Sequence, residues 1–416
     1  MPNTRGRSRR ELNIHIVSTY PPRRCGLANF TTDLRDALLG LDQDIDVRVC
    51  AMDTDGLTYP DEVTATISAD APATYRAAAR RMRDQGADIV LIEHEYGIFG
   101  GTAGAHVLEL SAELTRLGLP YMVTPHTMLS CPTRAQATVL HRLCRDAALI
   151  TMLTPTGVNL GVDAGLAQPS KLVVIPHGAP PILRTSIEES RLGPDLARIL
   201  AKSRTGPLLS TFGLLGPGKS LETAIDGLAT VVERLPDVRY VIAGATHPGE
   251  LAAHGTAYLS RLRDLACRMG LEDNVDFVDR YLSPAELSAL LANTDVYLTP
   301  YRSQEQISSG TLTFAVAAGC PTVSTDYHYA RDLLSSGAGR LVSGDDPAGF
   351  GAAVTELLTD PVALSCTRVV ARRVGNRLMW PRVAETLVER IRSCGGDRNG
   401  TLSTVGVGDH VSRLVG

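Results

Sequence analysis

With 416 residues the chain exceeds what one hydrophobic core ordinarily organises and is long enough for two domains of roughly 150 to 200 residues each. Its 41 Lys and Arg against 45 Asp and Glu leave a formal charge of −4, which excludes the broad basic field that nucleic acid requires. A small anionic ligand in a local basic pocket remains compatible with that balance. The eight cysteines (25, 50, 131, 144, 267, 320, 366 and 394) include no C-x-x-C pair and no histidines at zinc spacing, so they read as reduced cytosolic thiols. No apolar run approaches the roughly 20 residues that span a bilayer, and the basic start MPNTRGRSRR precedes no signal-type segment. A cytoplasmic protein is expected, with at most peripheral contact of that tail with the inner membrane face.

Along the chain, short apolar runs of buried-strand length alternate with longer helical patterns, which predicts parallel α/β layers. The first set of strands is NIHIVS from Asn13, DVRVCAM from Asp46, DIVLIEH from Asp88, YMVTPH from Tyr121, ALITMLT from Ala148 and KLVVIPHG from Lys171. A proline- and charge-rich stretch between Pro176 and Pro207 suggests the junction. The second set is PLLSTFG from Pro207, RYVIAGA from Arg239, VDFVDR from Val275, DVYLTP from Asp295, PTVST from Pro321 and GRLV from Gly339. A last helix, MWPRVAETLVERIRSC, follows, and the residues after Cys394 lack periodicity and an apolar face.

The second set opens on a full match to G-x-x-x-x-G-K-[ST], from Gly213 through Gly218, Lys219 and Ser220, between a strand and a helix. Three features oppose an ATP-hydrolysing loop. Pro217 has no N–H to offer, Leu214 and Leu215 are bulky where the chain must wrap phosphate, and the next strand carries no carboxylate for Mg²⁺. What survives is a strand, a glycine-rich turn, a lysine and a helix N-terminus, an arrangement suited to an anion.

Four further stretches resemble the retaining glycosyltransferases of the GT-B, family 4 class, and the resemblance runs from Asn13 to about Arg392. STYPPRRCGLANFTTDLRDAL is similar to the family's first strand, glycine loop and helix, which implies that Gly26 faces the donor diphosphate. VTPHTML resembles the segment whose histidine, here His126, reaches the transferred sugar. TFGLLGPGKSLETAIDGL is similar to the segment with a glycine–arginine pair and a lysine; Lys219 matches the lysine, but Leu214 stands where the arginine is expected. Arg280, Arg302 or another cation would then substitute, or backbone amides would carry the charge. YRSQEQISSGTLTFAVAAGCPTVST looks like the signature with two glutamates eight positions apart, which here are Gln306 and Phe314. Gln306 can still hydrogen-bond sugar hydroxyls, and Glu305 lies one position away. Ser308, Ser309, Gly310 and Thr311 supply small residues at a helix start, where amides approach phosphate closely. A bacterial branch of the family carries a similar QISSGTL loop together with EHEYGIFGG, FGLL, GATHP and TPY, all present here.

In EHEYGIFGG, two carboxylates flank His94 at a strand end without metal-ligand spacing; acceptor binding or loop architecture is expected, with Glu95 the first residue to test. His247 in GATHPGE is open between donor contact and loop chemistry, and His177 in IPHG reads as structural. The expected fold is α/β, GT-B, with two Rossmann-like parallel-sheet domains facing a central cleft. Its expected parts are a basic flexible tail (1–10), an acceptor-side domain (11–190), a donor-side domain (191–375), a helix returning to the first domain (376–395) and a disordered tail (396–416). The resemblance implies transfer of a hexosyl group, mannosyl or glucosyl, from a nucleoside-diphosphate sugar to a hydroxyl of a saccharide, lipid-linked or small-molecule acceptor. Retention of configuration is implied, with the sugar nucleotide as co-substrate and neither metal nor cofactor. His126 and Lys219 are the expected catalytic pair, and Arg280 joins Glu95 and His247 as a candidate contact. A sugar-nucleotide epimerase, a non-catalytic sugar-nucleotide binding module and a P-loop ATPase are the rival readings.

Overall fold

The computed structural model describes residues 11–41, 44–53, 56–344 and 346–395; the tails expected at 1–10 and 396–416 lie outside the described residues. The chain divides into two units, one holding residues up to Pro176 and again from Trp380, the other His177–Met379.

In the first unit the elements run β1 (Leu12–Ser18), α1 (Gly26–Leu39), β2 (Ile45–Asp53), β3 (Val63–Ser68), α2 (Pro72–Asp84), β4 (Ile89–His94), α3 (Val107–Arg116), β5 (Tyr121–Pro125), α4 (Arg134–Arg145), β6 (Leu149–Met152), α5 (Pro155–Asp163) and β7 (Leu172–Val174). The second contains α6 (Pro194–Lys202), β8 (Leu208–Phe212), α7 (Leu221–Val232), β9 (Arg239–Ala243), α8 (Pro248–His254), α9 (Ala257–Arg268), β10 (Val275–Val278), α10 (Pro284–Asn293), β11 (Val296–Thr299), α11 (Gly310–Ala318), β12 (Thr322–Thr325), α12 (His328–Leu334), β13 (Gly339–Val342), α13 (Pro347–Thr359) and α14 (Pro361–Arg377). The last helix, α15 (Trp380–Gly395), belongs to the first unit.

The first sheet has the order β3-β2-β1-β4-β5-β6-β7 and the second β10-β9-β8-β11-β12-β13, with every pairing parallel. Each sheet reverses direction of winding once, between β1 and β4 and between β8 and β11. In open parallel sheets ligands bind beyond the carboxyl ends of the strands at that reversal.

Continuous apolar runs make these strands because parallel sheets are covered on both faces. In β8 and β9 the alternation is explicit: Leu208, Phe212, Val241 and Ala243 face one core layer, while Leu209, Tyr240 and Ile242 face the other. In the first unit, Phe30, Leu34 and Leu38 of α1 and Val383, Leu387 and Ile391 of α15 pack with Ile14, Ile16 and Leu91 of the sheet. Their four-residue spacing gives each helix one apolar stripe, and each such side chain contributes about 1.5–3 kcal/mol relative to exposure.

One strand is absent from the sequence reading. β3 pairs with β2 across a register shift at Val49/Cys50, and of its six residues only Ile67 is buried, so it lacks the apolar run that marks its neighbours. Against junctions expected at 190/191 and 375/376, the breaks fall at Pro176/His177 and Met379/Trp380. The reason is hydrogen bonding. Ala179 N–H donates to Leu378 O at 2.7 Å, and Arg184 Nε donates to Ala317 O at 2.6 Å while its other nitrogens reach Asn376 and Arg372 O. The proline-rich stretch is therefore held to α11 and α14 and is part of the second unit's structure.

Candidate functional site

In the first unit the candidate residues gather at the carboxyl ends of β1, β4 and β5. Cys25 caps α1 with its sulfur accepting from Ala28 N–H at 3.4 Å, which makes Gly26 the first helical residue. A side chain at Gly26 would meet nothing within 4 Å, so local packing does not demand a glycine there. On β4 and β5 the parallel register places Glu93 beside Thr124, and two residues on, past the strand end, comes His126. Side chains two apart share a face, so these three lie together. His126 Nε2 and Glu93 Oε2 are 2.8 Å apart, Thr124 donates to Glu93 Oε1 at 3.4 Å, and Thr124 and Thr151 hydroxyls bond at 2.7 Å. Glu93 is only 2% exposed and shares a small cavity with Phe30, Leu34, Met122 and Trp380. A carboxylate in such apolar surroundings is stable only when paired. The Phe30 ring stands edge-on to the imidazole, with centroids 4.7 Å apart.

Glu95, the residue singled out in the sequence, does something else. It accepts from Thr127 Oγ1 at 2.6 Å and from Tyr96 N–H at 3.0 Å, bracing the turn after β5. His94 between the two glutamates is fully buried, stacked on Phe99 and edge-on to Tyr96. Burial, with a smaller contribution from His126, pushes its pKa down to about 3, so it stays neutral at ordinary pH.

In the second unit the glycine-rich turn after β8 uses four of its amides within the protein. Gly213 N–H donates to Ala243 O, Leu215 to Ala245 O, Lys219 to Gly216 O and Ser220 to Pro217 O. The first amide of α7, on Leu221, donates to the Tyr258 hydroxyl at 3.1 Å. Ser220 is held in the left-handed region at φ 48°, an uncommon conformation for a residue other than glycine. The start of α7, where the sequence suggests an anion site, thus gives its first amide to Tyr258. Lys219 instead reaches the end of β11, the neighbour of β8 at the winding reversal. Its Nζ donates to Tyr301 Oη at 2.9 Å, and Tyr301 Oη lies 2.9 Å from Thr311 Oγ1 in the first turn of α11.

The start of α11 is shaped for close approach. Ser309 caps it, accepting from Leu312 N–H at 3.3 Å, and the amides of Gly310 and Thr311 precede the first intrahelical bond, Thr313 N–H to Ser309 O. A side chain at Gly310 would stand 3.1 Å from His177 Nε2, and one at Gly213 would stand 2.9 Å from Thr311 Cγ2 at a φ of +125°. Gly213 therefore needs glycine, Gly310 leaves little room for a side chain, and His177 walls the helix start. Gln306 folds back to donate to Ser308 O at 2.7 Å and so fixes the loop, in which Glu305 is half-buried. Phe314 packs against Phe212 and His177 as an aromatic contact.

His247 caps α8 by accepting from Gly249 N–H at 3.1 Å, and its own N–H donates to Leu215 O at 2.8 Å, tying it to the loop that carries Lys219. Arg280 is committed elsewhere. Its guanidinium donates to both oxygens of Asp195 (2.7 and 3.0 Å) and to both of Glu286 (2.6 and 3.0 Å), joining α6 to the start of α10. The Glu286 carboxyl is held down to about 2 by that arginine. Two carboxylates neutralise this cation, so it does not replace the missing family arginine. Arg302 is exposed; the Asp226 carboxyl is raised by burial and by Glu222, and the Arg302 charge offsets this only in part. Among the described residues no group of three or more His, Cys, Asp or Glu side chains has a metal-holding arrangement, and no helix is long and apolar enough to cross a membrane.

The segment that carries β8 to α13, with Lys219, Tyr301 and the start of α11, decides the comparison. Residues 206–360 match the family described as Glycosyl transferases group 1. The D-inositol 3-phosphate glycosyltransferase of Corynebacterium urealyticum is 25% identical over 65% of this chain and 65% of its own length. The phosphatidyl-myo-inositol mannosyltransferase of Mycolicibacterium smegmatis is 28% identical over 50% of this chain and 54% of its own. The chain thus spans less than two thirds of either relative in these matches. Among solved structures, Anabaena HepE in complex with UDP superimposes with a TM-score of 0.71 at 16% identity, covering 92% of this chain and all of that one. Sucrose-phosphate synthase from Thermosynechococcus elongatus gives 0.69 at 15% identity over 92% and 99%. The fold is that of the GT-B glycosyltransferases, built from two Rossmann-like parallel-sheet units.

Two participants were not singled out in the sequence. Tyr301 reads there as an aromatic at a strand end, yet it lies where β11 neighbours β8. Glu93 is less conspicuous than Glu95, and only the parallel register of β4 and β5 sets it directly beside Thr124.

Proposed function

We propose that this protein is a retaining, metal-independent hexosyltransferase of the family 4 type that uses a nucleoside-diphosphate sugar. The observation that carries the reading is the convergence of Lys219, Tyr301 and the start of α11 at the winding reversal of the second sheet, inside the segment that matches the glycosyltransferase family. Ammonium, hydroxyl and helix amides are all donors, which suits the developing charge of a departing diphosphate. The second unit is then the donor side, with Gln306 and Glu305 toward the sugar and His247 beside the loop that carries Lys219.

On the first unit, His126 contacts the transferred sugar, Glu93 fixes its ring, and Gly26 brings the start of α1 toward the donor diphosphate. The sugar's anomeric C–O bond to the diphosphate breaks and a new C–O bond to the acceptor hydroxyl forms on the same face. The acceptor's proton passes to the leaving phosphate oxygen, so nothing is oxidised or reduced. Anabaena HepE is known in complex with UDP and with UDP-glucose, which supports a UDP-sugar as the first donor to try. The names of the inositol-directed relatives support a polyol hydroxyl as acceptor and mannose as the alternative sugar. The test is nucleotide release from UDP-, GDP-, ADP- and dTDP-sugars, with and without Mg²⁺ and with ATP alongside. Release of the diphosphate from one sugar nucleotide is expected; phosphate release from ATP alone would replace the reading with the P-loop alternative.

A further inference from the structure

We infer that Tyr301 is a positioning residue that holds the Lys219 ammonium at the start of α11 and turns the Thr311 hydroxyl into a donor for the ligand. The inference rests on the donor-site reading given above. Tyr301 is itself immobile: it is 1% exposed, its ring stacks on Tyr327 at 5.3 Å, and its backbone carbonyl accepts from the Thr325 hydroxyl. Lysine is a flexible four-carbon stem that loses much freedom when its charge is held in one place. Here the ammonium is fixed twice, by the 2.9 Å bond to the hydroxyl and by lying 4.2 Å from the ring centroid.

Proton bookkeeping gives the chain a direction. An ammonium has only protons to offer, so Tyr301 Oη accepts from Lys219; either hydroxyl can donate across the 2.9 Å to Thr311 Oγ1, and in the inferred arrangement it is Tyr301 that does. Thr311 is left with a hydroxyl proton to give, and its contact with Ser309 Oγ is a long 3.4 Å to an atom that already accepts from Leu312 N–H. Ammonium, hydroxyl and the Gly310 and Thr311 amides then present donors together, a set that complements a diphosphate. A purely structural role would need only the ring, since stacking on Tyr327 and contact with Lys219 survive loss of the hydroxyl.

The experiment is titration calorimetry of the full chain with UDP, GDP, ADP and dTDP, using Tyr301→Phe, Lys219→Met and the double variant. Removing one charge-assisted hydrogen bond is expected to weaken the best-binding nucleotide about 5- to 10-fold in Tyr301→Phe. In the Lys219→Met background the same change should alter affinity less than about twofold, because the two groups act as one. Equal losses in both backgrounds, or wild-type affinity in Tyr301→Phe, overturn the inference and leave the donor site standing. Failure of the wild-type chain to bind any of the four overturns both. Should Tyr301→Phe not fold, Thr311→Val carries the test from the other end: its affinity must fall while Thr311→Ser stays near wild type, and equal affinities overturn the inference.

Discussion

Replacing Glu93 by Gln keeps the shape of the side chain and an acceptor oxygen but removes the charge that faces His126 across 2.8 Å. A hydrogen bond to a charged group contributes about 1.5–3 kcal/mol and a neutral pair about 0.5–1.5, so the change forfeits about 1–1.5 kcal/mol of ring orientation. If that orientation is used in the transition state, turnover falls about 5- to 10-fold, since 1.36 kcal/mol is tenfold in rate. Glu93→Ala removes the partner altogether beside an apolar cavity, and about 3 kcal/mol, or more than 100-fold, is expected. Stability should move the other way for Gln, because a neutral amide at a 2%-exposed site escapes the desolvation cost of a carboxylate. The assay is initial-rate release of nucleoside diphosphate from the identified donor, with the thermal midpoint recorded in parallel. Turnover within twofold of wild type in both variants, with the fold intact, would refute the proposed service of Glu93 to His126.

Lys219→Ala is expected to cut donor turnover by at least about tenfold while leaving the circular dichroism spectrum unchanged, since one charge-assisted contact to the leaving group is lost. Arg280→Met should do the reverse: donor affinity stays within about twofold, while the second unit loses about 2 kcal/mol because Glu286 and Asp195 are left unpaired. His94→Phe tests acid sensitivity of the first unit. Because the folded pKa of His94 is lowered to about 3, the unfolded chain takes up the proton first, and stability is complete above about 6.5 and lost as pH falls. Between pH 7 and 5 the buried ring costs about 2 kcal/mol, so the variant's urea midpoint should fall less over that interval by the equivalent amount. Trp380, the only tryptophan and part of the first unit, supplies the fluorescence signal.

Most strands were legible because a doubly covered parallel sheet writes its strands as short apolar runs. β3 was not, since an edge strand with half of its surface polar carries no such run. The lysine of the glycine-rich turn was legible as a residue, but its destination was not. Sequence proximity pointed to the start of α7, whereas parallel neighbours β8 and β11 bring it to Tyr301 and α11, 82 residues further along the chain. Strand order, which decides that encounter, is a property of long-range pairing. Arg280 shows the complementary gap: its position after β10 suggested a ligand contact, and only the fold reveals Asp195, 85 residues away, as its partner.

The central claim is sugar transfer from a nucleotide donor, and the most direct test is diphosphate release by the purified chain across UDP-, GDP-, ADP- and dTDP-sugars. Slow release from one donor, unchanged by Mg²⁺ and cut at least about tenfold in Lys219→Ala, is the predicted result. Donor binding without release, even when polyol and saccharide acceptors are supplied, would contradict it and mark the chain as a sugar-nucleotide binding module.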